Sequence, residues 1–189
     1  MLSANALVIV IGAAMIVVIV MGRANGTSGP TIFARCALLG AVGWILALTI
    51  FPIPVGARWW RFHRLFSNMS LVPFRTIGTQ LSHGLERYEA RQLLGNIALF
   101  APLGLLLPVA LKTFRRAWPT LLVAAALSMM IETTQALLPG HSTDVDDVIL
   151  NTTGAALGYL AFSIIAWTVR QRTSPKDGTM RGPAPSSAA

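Results

Sequence analysis

Several things are scarce in this chain, and each absence excludes something. Cys36 is the only cysteine in 189 residues, so no disulfide forms within the chain. Charged residues make up 12%, about half the share found in an ordinary soluble domain. Acidic residues are scarcer still, 7 against 15 Lys and Arg, for a net charge of +8. No H-E-x-x-H, G-x-S-x-G or P-loop occurs, so none of the reaction classes those motifs mark is signalled. No internal repeat is evident, although transporter folds often carry one.

What is abundant is apolar surface, with 54% of the residues hydrophobic. A membrane span needs about 20 predominantly apolar residues. Five segments meet that length, at 2–22, 36–55, 93–111, 117–138 and 148–169. They predict an all-α integral membrane bundle of about five transmembrane helices. The first span has no basic n-region and is longer than a signal-peptide core, so it reads as a true span. The third contains Pro102 and Pro108 with Gly95 and Gly104, which predicts a kinked or partly re-entrant segment. The domain reading is two N-terminal helices in 1–55, then a unit of one interfacial loop and three spans in 56–170. A tail at 171–189, rich in Pro, Gly, Ser and Ala, is expected to be disordered.

The basic residues flank spans instead of covering a soluble face, which argues against a nucleic-acid partner. Arg58, Arg61, Arg64, Arg75, Arg87 and Arg91 fall on one side of the membrane. Arg23, Arg35, Lys112, Arg115, Arg116, Arg170, Arg172, Lys176 and Arg181 fall on the other. Nine against six places the second side in the cytoplasm, with the N-terminus outside and the C-terminus inside.

Alternation of five spans brings the loops at 56–92 and 139–147 to one side, together with the span ends that carry polar residues. Asn96, Glu132 and Asn151 then lie roughly 5 to 9 Å below that surface at 1.5 Å per residue. Charged and amide side chains at such depth need partners. Glu132 and Gln135 are three apart and Asp147 and Asn151 four apart, so each pair shares a helix face. Gly154 and Gly158 continue that second face in a G-x-x-x-G pattern that lets another backbone approach. The candidate pocket is therefore Asn96, Glu132, Gln135, His141, Asp144, Asp147 and Asn151. The competing structural reading makes Asp144 the N-cap of the last helix, with Asp146 and Asp147 complementing its dipole. In the long loop, Arg58, Arg61 and Arg64 recur every three residues beside Trp59, Phe62 and Phe66. That pattern predicts an amphipathic interfacial helix, whose arginines and aromatics either simply anchor it at the interface or form a cationic lip for a phosphate-bearing headgroup.

These residues resemble the VanZ-like family of bacterial membrane proteins, associated with resistance to the glycopeptide teicoplanin. The blocks that carry the resemblance are Asn68-Met-Ser-Leu-Val-Pro-Phe74 and Asn96-Ile-Ala-Leu-Phe-Ala-Pro-Leu-Gly104. They continue with Glu132-Thr-Thr-Gln135, Leu138-Pro-Gly140, Asp147-Val-Ile-Leu-Asn151-Thr-Thr-Gly154 and Gly158-Tyr159. His141 departs from the pattern, which usually has arginine after the Pro-Gly. The resemblance implies a multi-pass protein of the bacterial cell membrane with a role in lipoglycopeptide susceptibility.

The leading functional expectation is a cell-envelope factor whose polar pocket binds a membrane lipid or lipid-linked envelope precursor at the outer leaflet. A membrane enzyme acting on a lipid headgroup, with Glu132 as base, is the alternative. A third reading is an ion-coupled transporter, although the first two spans lack acidic residues along any continuous path. No cofactor or metal is called for; His141, Asp144 and Asp147 as oxygen- and nitrogen-ligands compete with the capping roles of the same acids. A homo-oligomer is a further partner class.

Overall fold

A computed structural model describes residues 4–50, 69–82, 87–136 and 143–173. Among them six helices form in chain order: α1 (Ala4–Ala24), α2 (Gly29–Ile50), α3 (Arg75–Ser82), α4 (Arg87–Ala110), α5 (Ala117–Ala136) and α6 (Val145–Thr173). A 3-10 turn, Lys112–Arg115, joins α4 to α5. Two-residue strands β1 (Met69–Ser70) and β2 (Thr143–Asp144) pair in parallel. Among the described residues, five helices are long and apolar enough to cross a membrane. The molecule is thus an all-α, multi-pass membrane bundle, with the predicted boundaries displaced by a few residues.

Local chemistry sets those boundaries. α1 ends where Gly26 takes φ +66°, with Thr27 N–H donating to the Gly22 carbonyl at 2.8 Å and Gly26 N–H to that of Arg23 at 3.2 Å. This is the Schellman arrangement, and it satisfies carbonyls the helix end would leave open. Ser28 then opens α2, its carbonyl accepting from Ile32 N–H, and Pro30 sits in the first turn, where no N–H is needed. The second span therefore begins at Gly29, one to two turns before the apolar run at Cys36. The third span differs from expectation in a second way. Pro102 and Pro108 lie inside one unbroken helix, α4, so the segment is not re-entrant; neighbouring helices tolerate the missing donors.

α4 and α6 make the most extensive contact in the bundle. A Cβ at Gly154, Gly158 or Gly104 would overlap the carbonyl of Ile97, Ala101 or Ala155 respectively. The glycines thus let two backbones touch, as the G-x-x-x-G spacing predicts, and in lipid such close van der Waals packing is a main source of helix association. Around this pair Ile45, Phe100, Leu103, Leu107, Ala124, Ile131 and Ala155 form the buried core. Large apolar side chains such as Val10, Trp44, Leu122, Met129 and Ile164 face outward, where acyl chains replace water.

α3 was not foreseen. The expected amphipathic helix around Arg58 to Phe66 lies outside the described residues, as do His141 and the tail beyond residue 173.

Candidate functional site

The polar residues gather at the end of the bundle where α4 and α6 begin and α5 finishes. Asp144 precedes α6 and accepts from the N–H of Asp146 at 3.0 Å, so it is the N-cap that the sequence predicts. Its other oxygen accepts from the Thr76 hydroxyl. Both Asp144 oxygens are therefore used in holding α6 and α3 together.

Asp146 is 1% exposed and serves a different helix from its own. Its carboxylate accepts from Phe74 N–H at 2.5 Å, Thr76 N–H at 2.8 Å and Ile77 N–H at 3.1 Å. These are orphan donors at the start of α3; the Arg75 and Gly78 N–H groups donate to the Val72 and Phe74 carbonyls. A negative charge there also complements the positive end of the helix dipole. Phe74 takes φ 62°, a left-handed conformation that a bulky residue adopts only when its surroundings enforce it. Here the enforcing contact is the bond to Asp146.

Glu132, on the last turn but one of α5, is 6% exposed. One carboxylate oxygen accepts from Asp144 N–H at 3.2 Å, and its backbone carbonyl accepts from the Thr143 hydroxyl at 3.2 Å. Asp147 is half-buried and accepts from the Asn96 amide of α4. The charges bearing on Glu132 are those of Asp147 and Asp144, and those bearing on Asp147 are Asp144 and Asp146. Among the described residues, no donor reaches the second oxygen of Glu132 or of Asp147.

One turn deeper the same two helix faces meet again. Asn151 follows Asp147 by four residues and Ser128 precedes Glu132 by four; the Asn151 amide donates to the Ser128 hydroxyl at 2.9 Å. Asn151 is 3% exposed, and its carbonyl oxygen has no partner. The arrangement is a two-tier ladder of acceptors between α5 and α6, with Glu132 and Asp147 above and an orphan amide oxygen below. The buried Asn151 oxygen carries a cost unless something donates to it.

Of the sequence-predicted residues, Asn96, Glu132, Asp144, Asp147 and Asn151 converge here. Gln135 points elsewhere: its amide donates to the Thr49 carbonyl at 2.8 Å, tethering the end of α2. His141, Arg58, Arg61 and Arg64 lie outside the described residues. The site also includes Asp146, Thr76, Thr143 and Ser128, which the candidate set omits. Ser128 was findable as the residue one turn below Glu132, whereas the role of Asp146 depends on a segment 70 residues away. No group of three or more His, Cys, Asp or Glu with metal-holding geometry occurs among the described residues.

Residues 38–166 match the family described as VanZ/LLP1. The chain is similar to Protein VanZ of Enterococcus faecium, with 30% identity over 97 residues, 51% of this chain and 53% of that protein. It thus spans about half the length of this curated relative. No solved structure matches the chain.

Proposed function

The chain belongs to the VanZ/LLP1 family, and on that premise we propose that it binds the headgroup of an envelope lipid, or of a lipid-linked precursor, at the Glu132–Asp147 site. Through that binding it alters susceptibility to teicoplanin-type glycopeptides. The observation that carries the reading is the buried Glu132 and half-buried Asp147 carboxylates, each with one oxygen bonded, above the buried and unpartnered Asn151 carbonyl. Such a set asks for donors, so the matching headgroup carries hydroxyl or ammonium groups.

An apolar groove supports a lipid as the occupant. It has a volume of about 330 Å³ and is lined by Val148, Ile149, Thr152, Thr153 and Ala156 of α6, at the same end of the helix as Asp147 but on another of its faces. An acyl chain bedded there would lie along α6 with its headgroup at the level of the acidic tier. We place this end at the outer leaflet because the opposite end carries nine of the fifteen basic residues. A C-terminal reporter active only outside the cytoplasm would reverse that placement. Teicoplanin-type drugs carry an acyl chain, so a protein that holds or alters outer-leaflet lipid would change drug access.

The test compares deletion, wild-type and Glu132→Gln strains at equal membrane expression, against teicoplanin and vancomycin. Protection against the acylated drug alone, lost in Glu132→Gln, is the expected result; three identical strains would remove the proposal. If a purified lipid is consumed by wild type and spared by Glu132→Gln, the site is that of an enzyme.

A further inference from the structure

The opposite end of the bundle holds a feature that the polar site does not explain. Where α1 meets α2, an apolar groove of about 300 Å³ is lined by Ile19, Arg23, Gly29, Ile32, Phe33 and Cys36. Arg23 is the only charged residue in that lining. No described side chain or carbonyl forms an ion pair or hydrogen bond with it, so its guanidinium is available at the mouth. The groove also abuts the N-terminus of α2, a helix of 22 residues, whose dipole favours an anion there; the Thr31 and Ile32 N–H groups are already spent on the Ser28 carbonyl. All of its lining residues precede residue 38, where the family match begins.

We propose that this groove binds one anionic phospholipid, its phosphate held by Arg23 near the positive end of the α2 dipole and its acyl chain lying against Ile19, Ile32 and Phe33. Three features agree on that ligand. The groove sits at the membrane-interface end of two spans, its wall is apolar, and its charge is a fork-shaped donor suited to phosphate oxygens. The connection between α1 and α2 is fixed by the Gly26 turn and the Ser28 carbonyl. Close packing of Gly22 on Ile32 fixes the floor, since a Cβ at Gly22 would meet the Ile32 side chain at 2.8 Å. The site is therefore preorganised. Arg35, also at this end, is by contrast already engaged with the Ala110 carbonyl at 3.3 Å.

The probe is phosphatidylmethanol, which carries a phosphate charge but no hydroxyl or amine donor to occupy the acidic site; phosphatidylcholine of the same chains is the neutral comparison. Binding to the full chain in detergent is read by native mass spectrometry as retained lipid. Wild type is expected to retain one phosphatidylmethanol in preference to phosphatidylcholine. Arg23→Gln removes the charge and should weaken that lipid about tenfold or more. Gly29→Leu should do the same by filling the groove, and a Cβ at Gly29 meets nothing within 4 Å, so the fold is kept. Arg172→Gln, a basic change on α6 away from the groove, should retain it, as should Glu132→Gln. Equal retention in Arg23→Gln or Gly29→Leu, or an equal loss in Arg172→Gln, would overturn the site in favour of diffuse attraction between basic residues and anionic lipid.

Discussion

The two ends of this bundle handle charge in opposite ways. At the end of Glu132 and Asp147, charge is buried and held by backbone N–H groups and amides, and the segments that supply them are far apart in sequence. At the end of Arg23 and Arg116, charge is mostly exposed and left to the membrane interface. Where a basic group is partly buried there, as at Arg35, it caps a helix C-terminus. Exposed arginines beside spans are inexpensive because the interface solvates them. Buried acids are costly and persist only when every neighbouring segment is arranged around them. The comparison identifies the acidic end as the specialised one, and the basic end as the one left to the membrane interface.

The largest expected effect comes from removing the acid that organises that specialised end. Asp146→Ala strands three N–H groups at the start of α3 and releases Phe74 from its left-handed conformation, at about 4 kcal/mol. Thermal unfolding in detergent would show it, along with faster proteolysis within residues 69–82. A stability equal to wild type would mean that α3 is held by something else. Gly158→Val comes next. The added side chain must push Ala101 and α4 away, costing about 3 kcal/mol, and the test is whether the purified bundle keeps its melting transition.

Much of this was legible in the sequence, for identifiable reasons. Long apolar runs and the Gly154–Gly158 spacing report directly on spans and on close helix approach, because both depend on composition and period within one segment. Asp144 was legible as a cap because N-caps act locally. α3 was not, because its cap comes from Asp146, 70 residues later, and the position that a local rule inspects holds Phe74. The start of α2 was displaced for a related reason: the span extends through Pro30 and Arg35, and Arg35 is tolerated inside it because the end of α4 accepts its guanidinium N–H. Gln135 shares a helical face with Glu132 by spacing, yet it bonds to the Thr49 carbonyl of α2, a partner no period reveals.

Smaller changes sharpen the contrast. Ser128→Ala leaves the Asn151 amide without its acceptor in the buried lower tier, which should cost about 1 to 2 kcal/mol. A double change with Asn151→Ala should be less than additive, and strict additivity would separate the two residues. At the basic end, Arg35→Gln removes one charge from a helix C-terminus and should cost about 1 kcal/mol or less. A cost as large as that of Asp146→Ala would erase the distinction between the ends.

Lipid selectivity at Glu132 tests the central claim most directly. Phosphatidylethanolamine and phosphatidylcholine carry the same net charge and can carry the same chains, but only the first offers ammonium N–H donors. The account predicts that the full-length protein retains phosphatidylethanolamine in preference to phosphatidylcholine, and that Glu132→Gln abolishes the preference with little change in melting temperature. Equal retention of the two lipids by wild type, or an unchanged preference in Glu132→Gln, would contradict a donor-seeking headgroup site.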